Sequence, residues 1–140
     1  MKRILSLTLT ILVLFACISA LASCRDSIVR EEKDLFPSSD PHKAEEALEK
    51  KGYNAVLIDN GLPEGYVASL EAVKGQDFIL ITYYSDEKLL ETEWESIQGT
   101  IEAIRSNHAS IVGISKEDVI IKKHEKMVFI GTSQAIKDTK

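Results

Sequence analysis

Apolar and polar positions divide this chain into three stretches with different rhythms. Ile4 to Ala20 carries no charge and has no period. Arg25 to Ser39 mixes Arg30, Glu31, Glu32, Lys33 and Asp34 with Pro37-Ser38-Ser39, again without a sustained period, and reads as a tether. Ile28, Val29, Leu35 and Phe36 are too apolar for a pure spacer, so part of it is expected to dock on the folded domain. From Asp40 onward regular periods begin. Asp40 or Ser39 can cap a helix, Pro41 suits its first position, and Gly52 ends it. Tyr53 to Ile58, Tyr66 to Val73 and Phe78 to Tyr84 read as strands separated by turn chemistry. A second helix is predicted from a Ser85 cap. Leu90, Trp94, Ile97, Ile101 and Ile104 follow at steps of four, three, four and three, one apolar stripe that ends near Asn107. Ala109 to Ile114, Val119 to His124 and Met127 to Gly131 read as strands, and Thr132 to Ile136 as a short last helix.

This order predicts an α+β fold: a mostly antiparallel sheet of about six strands with both main helices on one face. Helix and strands recur in each half, a weak tandem αβββ pseudo-repeat closed by the short C-terminal helix. The best strands break the alternation that a one-sided sheet should show. Phe78, Leu80 and Tyr84 oppose Ile79, Ile81 and Tyr83, and Met127 and Phe129 oppose Val128 and Ile130. Both faces of the sheet centre are therefore apolar and need cover. Leu35 and Phe36, or the last helix, can supply it from within the chain. The functional alternative is a homodimer or an envelope protein on that face, with Tyr83, Ile81 and Phe129 as the contact surface. By contrast Lys122, Lys123 and His124 turn one strand polar, as at a sheet edge.

Composition changes the picture at the N-terminus. Lys2 and Arg3 precede the apolar run, which closes on Leu21-Ala22-Ser23-Cys24. A basic head, an apolar run and a small-residue exit make a secretory signal peptide. The last four residues resemble the lipobox of bacterial lipoprotein precursors. That resemblance implies cleavage before Cys24, lipidation of Cys24 and a domain held by acyl chains on the extracytoplasmic side of the cell membrane. Two chains hold firmly where one is marginal. Arg25 after the cysteine leans toward outer-membrane sorting where two membranes exist. The alternatives are an ordinary signal cut after Ala20-Leu21-Ala22 and an uncleaved anchor, since about 20 apolar residues suffice to span. The expected organisation is 1–23 signal peptide, 24–39 lipid-anchored tether and 40–140 a single α+β domain.

Charge and side-chain inventory then narrow the function. The chain holds 17 basic and 22 acidic residues; without Lys2 and Arg3 the balance is 15 against 22. That acidity argues against nucleic acid as a partner, and a domain so charged is not expected to be drawn as a whole to anionic headgroups, which leaves anchoring to the acyl chains. Past Cys24 no cysteine remains, so a disulfide framework, a thiolate metal site and a cysteine nucleophile are out. His42, His108 and His124 lack metal-ligand spacing, and no metal or other cofactor is expected. Glu91, Glu93 and Glu95 beside Trp94 would need a pocket to do acid–base work. Ser85-Asp86-Glu87-Lys88 matches Ser-x-x-Lys without its companion motifs. Asp59-Asn60-Gly61 lacks the spaced oxygens of a calcium loop. The basic tip Lys122 to Lys126 is a solvated hairpin or, functionally, a small anion or headgroup contact. No catalytic residue is assigned. The expected function is a membrane-anchored extracytoplasmic binding module. The alternative is a small-molecule-binding lipoprotein with a pocket on the sheet face, lined by that face and by the tyrosines.

Overall fold

The computed structural model describes residues 35–140. The expected signal peptide, Cys24 and residues 25–34 of the expected tether lie outside the described residues.

The first helix, α1 (Pro41–Lys50), forms where its caps place it. Asp40 Oδ1 accepts from the N–H groups of His42 and Lys43, and Pro41 occupies the first turn. Three strands come next: β1 (Asn54–Ile58), β2 (Tyr66–Lys74) and β3 (Asp77–Tyr84). The predicted second helix is two. Helix α2 (Glu87–Gln98) is capped by Asp86, not Ser85: its Oδ1 accepts from Lys88 and Leu89 N–H. The chain breaks at Gly99-Thr100, and α3 (Ile101–Val112) begins. The apolar stripe survives the break. Leu90, Ile97 and Ile104 are buried in one cluster, with Trp94 and Ile101 packed against it.

Ala109 to Ile114 is not a strand. It is mainly the last turn of α3, which runs past Asn107 and stops at Gly113, whose φ of 74° lets it adopt the left-handed cap. The β-branched pair Ile111-Val112 favours a strand only locally. The helix carries on because Ala109 continues the buried face begun by Ile104. A short 3₁₀ turn (Lys116–Asp118) then leads to β4 (Val119–His124), β5 (Met127–Thr132) and α4 (Ser133–Asp138).

The sheet therefore has five strands among the described residues, all antiparallel, in the order β1-β2-β3-β5-β4. The second half contributes two strands rather than three, so no αβββ repeat forms. The expected one-sided arrangement is also corrected. Helices α1 and α4 cover one face, packing Ala44, Leu48, Ala135 and Ile136 on Leu70, Ile79, Ile81 and Phe129. Helices α2 and α3 cover the other, over Phe78, Tyr84, Val119, Ile121, Val128 and Ile130. The doubly apolar strands β3 and β5 lie under both layers, as their lack of alternation requires. Gly131 makes their close approach possible. A Cβ there would lie 2.7 Å from the Phe78 carbonyl oxygen and 3.1 Å from Ile79 Cα.

Residues 35–39 pack on the domain rather than standing off it. Pro37 is fully buried, and Leu35 and Phe36 pack against the cluster beneath α1 and α4. Ser38 N–H donates to Thr139 Oγ1 at 2.9 Å, and the Tyr83 hydroxyl donates to the Ser38 carbonyl at 3.0 Å. Within the described residues no helix is long and apolar enough to cross a membrane.

Candidate functional site

The three residues expected to form a contact surface are core. Tyr83, Ile81 and Phe129 are buried, and the cover comes from within the chain: α1, α4, Leu35 and Phe36. The four tyrosines do not gather in one groove. Tyr53 and Tyr83 belong to the α1 and α4 side, Tyr66 and Tyr84 to the α2 side.

The acidic cluster on α2 separates into different jobs. Glu91 meets Lys123 of β4 with both carboxylate oxygens, at 2.5 and 2.7 Å. Glu93 accepts hydrogen bonds from the hydroxyls of Tyr66 and Tyr84. A bulge places both tyrosines on this face: the β2–β3 register shifts between Tyr66 and Ala68, so Tyr66 pairs with Tyr84 while Ala68 pairs with Tyr83. Burial is the main force raising the tyrosine pKa values, and hydrogen bonding to the Glu93 carboxylate adds to it. The arrangement clamps α2 to the sheet with two phenols held neutral. It presents no second carboxylate for acid–base work.

The other sequence candidates stay apart. Ser85 donates its backbone N–H to Gly65 while Asp86 takes the cap, so Ser85-x-x-Lys88 is a helix start. His42 contacts Asp59 at 3.2 Å, His124 stacks on Phe36 at 3.9 Å, and His108 is buried with its Nδ1 on the Ile104 carbonyl. Among the described residues no three His, Cys, Asp or Glu side chains converge as a metal site. In the hairpin tip Lys123 pairs with Glu91, and Lys126 lies 3.6 Å from Glu87. Much of its positive charge is answered by α2.

Two surfaces that the sequence did not single out stand out in three dimensions. The first is the half of the sheet that α2 and α3 leave open. Val56 of β1 is 53 % exposed and Val73 of β2 is 42 % exposed. Val56 pairs with Glu71 and Val73 with Asn54, on the side of the sheet that carries Leu80 and Phe78. Val67, in the bulge, is 46 % exposed. Strand β1 is also an edge: among the described residues it pairs only with β2. Its sequence, Asn-Ala-Val-Leu-Ile, has neither the charge nor the proline that commonly guards an edge. The other edge, β4, carries Lys122, Lys123 and His124. Valines in a strand give no sign from sequence that their side is uncovered, whereas an uncharged edge is visible once the strand order is known.

The second surface is a groove of about 280 Å³ lined by Lys43, Glu46, Ala47, Lys50, Lys51 and Lys140. It forms because the C-terminal ends of α1 and α4 are tied together. Lys51 Nζ donates to the carbonyls of Asp138 and Lys140, at 3.3 and 3.1 Å, and pairs with the Asp138 carboxylate. Burial opposes charge on Asp138, but hydrogen bonds from Tyr53, Gln134 and Lys51 outweigh it and hold the carboxyl below its ordinary range. This long-range contact left no mark in the sequence pattern.

Comparison with family models, with curated proteins and with solved structures gives no match.

Proposed function

We propose that this chain is a lipoprotein that holds a small α+β interaction module on the extracytoplasmic side of a membrane, and that the module works by strand addition at β1. The observation that carries the reading is the unguarded edge beside exposed Val56 and Val73. An added strand gains main-chain hydrogen bonds from the open edge and side-chain contacts from the valines. A second copy of the chain suits this edge. Antiparallel pairing about Val56 sets Val56 against Val56, Ala55 against Leu57 and Asn54 against Ile58, with no charge opposed at any position. Five residues make a small interface. Acyl chains on Cys24 would confine the copies to one surface and raise their effective concentration, which offsets that weakness. The lipobox-like ending at Cys24 supports the anchor; the burial of Tyr83, Ile81 and Phe129 under α1 and α4 weighs against the small-molecule reading.

The test uses cells that express the full chain. Wild type is expected to incorporate palmitate and Cys24→Ser to lose it; continued incorporation removes this cysteine as the acceptor. Val56→Cys in the lipidated chain is expected to cross-link between copies under mild oxidation, while Ile111→Cys, at a residue 69 % exposed on α3, does not. Equal cross-linking at both positions, or none at position 56, rules out pairing through β1.

A further inference from the structure

We propose that the lysine-lined groove between the C-terminal ends of α1 and α4 takes the phosphate headgroup of an anionic membrane lipid and so decides which side of the domain faces the bilayer. The proposal rests on the lipid-anchored reading. In an acidic chain, this groove brings four lysines together with Glu46, while Asp40 and Asp138 stand beside Lys43 and Lys51. Lys50 pairs with Glu46 at 2.6 Å, Lys51 with Asp138 at 3.3 Å, and Lys43 lies 3.8 Å from Asp40. Each ammonium has three N–H donors, so Lys43 and Lys50, with one carboxylate partner each, can donate to phosphate as well, whereas the donors of Lys51 are taken by Asp138 and Lys140. Lys43 and Lys50 keep their side chains 78 % and 72 % exposed.

Position links the groove to the anchor. Lys140 both lines it and sets its Nζ 4.2 Å from the centre of the Phe36 ring. Phe36 follows Leu35, eleven positions after Cys24. Eleven residues reach at most about 40 Å, more than the width of a domain this size. The anchor alone therefore lets the domain roll, and charge selects the face. On the opposite side Lys123 is held against Glu91 with its side chain only 28 % exposed, against 78 % and 72 % for Lys43 and Lys50. Near an anionic surface each lysine contributes about a fivefold bias toward the contacting orientation, and salt screens it.

The mature lipidated chain is reconstituted into vesicles of phosphatidylcholine alone or with phosphatidylglycerol. A fluorophore is placed through Glu49→Cys on α1 or, in a separate sample, through Ile111→Cys on α3, and lipid-borne quencher reads its depth. Phosphatidylglycerol is expected to bring the α1 label toward the membrane and not the α3 label, and added salt to reverse this. The triple variant Lys43→Gln, Lys50→Gln, Lys140→Gln is expected to lower the bias about a hundredfold, with Lys51 kept because it ties the helix ends. Equal depth in both lipids overturns the groove while leaving the anchor intact. A phosphatidylglycerol effect that survives the triple variant overturns it too. Failure to associate with phosphatidylcholine vesicles at all overturns the anchored reading beneath it.

Discussion

The two faces of the sheet carry unequal cover. Beneath α1, α4 and the Leu35–Ser38 segment, every strand contributes to one continuous core: Ala55 and Leu57 from β1, Leu70 from β2, Ile79 and Ile81 from β3, Phe129 from β5 and Ile120 from β4. Beneath α2 and α3 the core draws on β3, β5 and β4, and from β2 only on Tyr66, which the bulge turns toward Glu93. Two helices of twelve residues thus cover about half a sheet, while a ten-residue helix, a six-residue helix and a short segment cover the whole of the other side. Helix count and length do not set coverage. The direction in which the chain leaves the sheet does: α2 and α3 connect β3 to β4 and stay over that half.

Substitutions on the two faces should separate accordingly. Phe129→Ala, on the fully covered face, is expected to cost about 3–5 kcal/mol in urea unfolding, the range for a buried aromatic. A loss below that range would mean the cover from α1 and α4 is loose. On the half-covered face, Glu93→Gln is expected to cost about 1 kcal/mol near neutral pH, since two charge-assisted hydrogen bonds weaken in a partly exposed site. It should also change the alkaline limb. Burial first, then Glu93, raises Tyr66 and Tyr84 above their ordinary value of 10.0. The neutral phenols are favoured in the fold, so their stabilisation is complete below about pH 10 and is lost as pH rises through the raised values. Without the carboxylate the loss should be shallower, followed by unfolding against pH. An unchanged alkaline limb would show that Glu93 does not govern these phenols. Smallest of all, Val56→Lys on the open half should change stability by no more than about 0.5 kcal/mol, yet abolish association of the lipidated chain. A large loss of stability there would mean Val56 is part of the packed core.

Much of the local structure was readable from residues. Asp40-Pro41 marked α1, the turn at Lys74 to Asp77 marked the β2–β3 hairpin, and the polar end of β4 marked an edge. The two apolar sides of β3 and β5 already required cover on both faces. What the pattern did not hold was the assignment of helices to faces, because an amphipathic stripe says that a helix is packed and not against which side. The break at Gly99-Thr100 is hidden in the pattern for a similar reason: the apolar stripe keeps its phase across it. At Ala109 to Ile114 local strand preference lost to the tertiary contacts of α3. The candidate surface at Tyr83, Ile81 and Phe129 followed from correct alternation. It became core because the segment before α1 and the helix after β5 meet over it, through contacts of Ser38 with Thr139, about a hundred residues apart.

That meeting has a mechanical side. Ser38 is held from two directions, by Thr139 behind α4 and by the hydroxyl of Tyr83 in the central strand. A pull arriving along the chain from Leu35 reaches these two bonds and the buried ring of Pro37 before it reaches α1. Load is divided between Thr139, just past α4, and the central strand, so tension applied at Leu35 acts on the middle of the sheet before it can peel away the first helix.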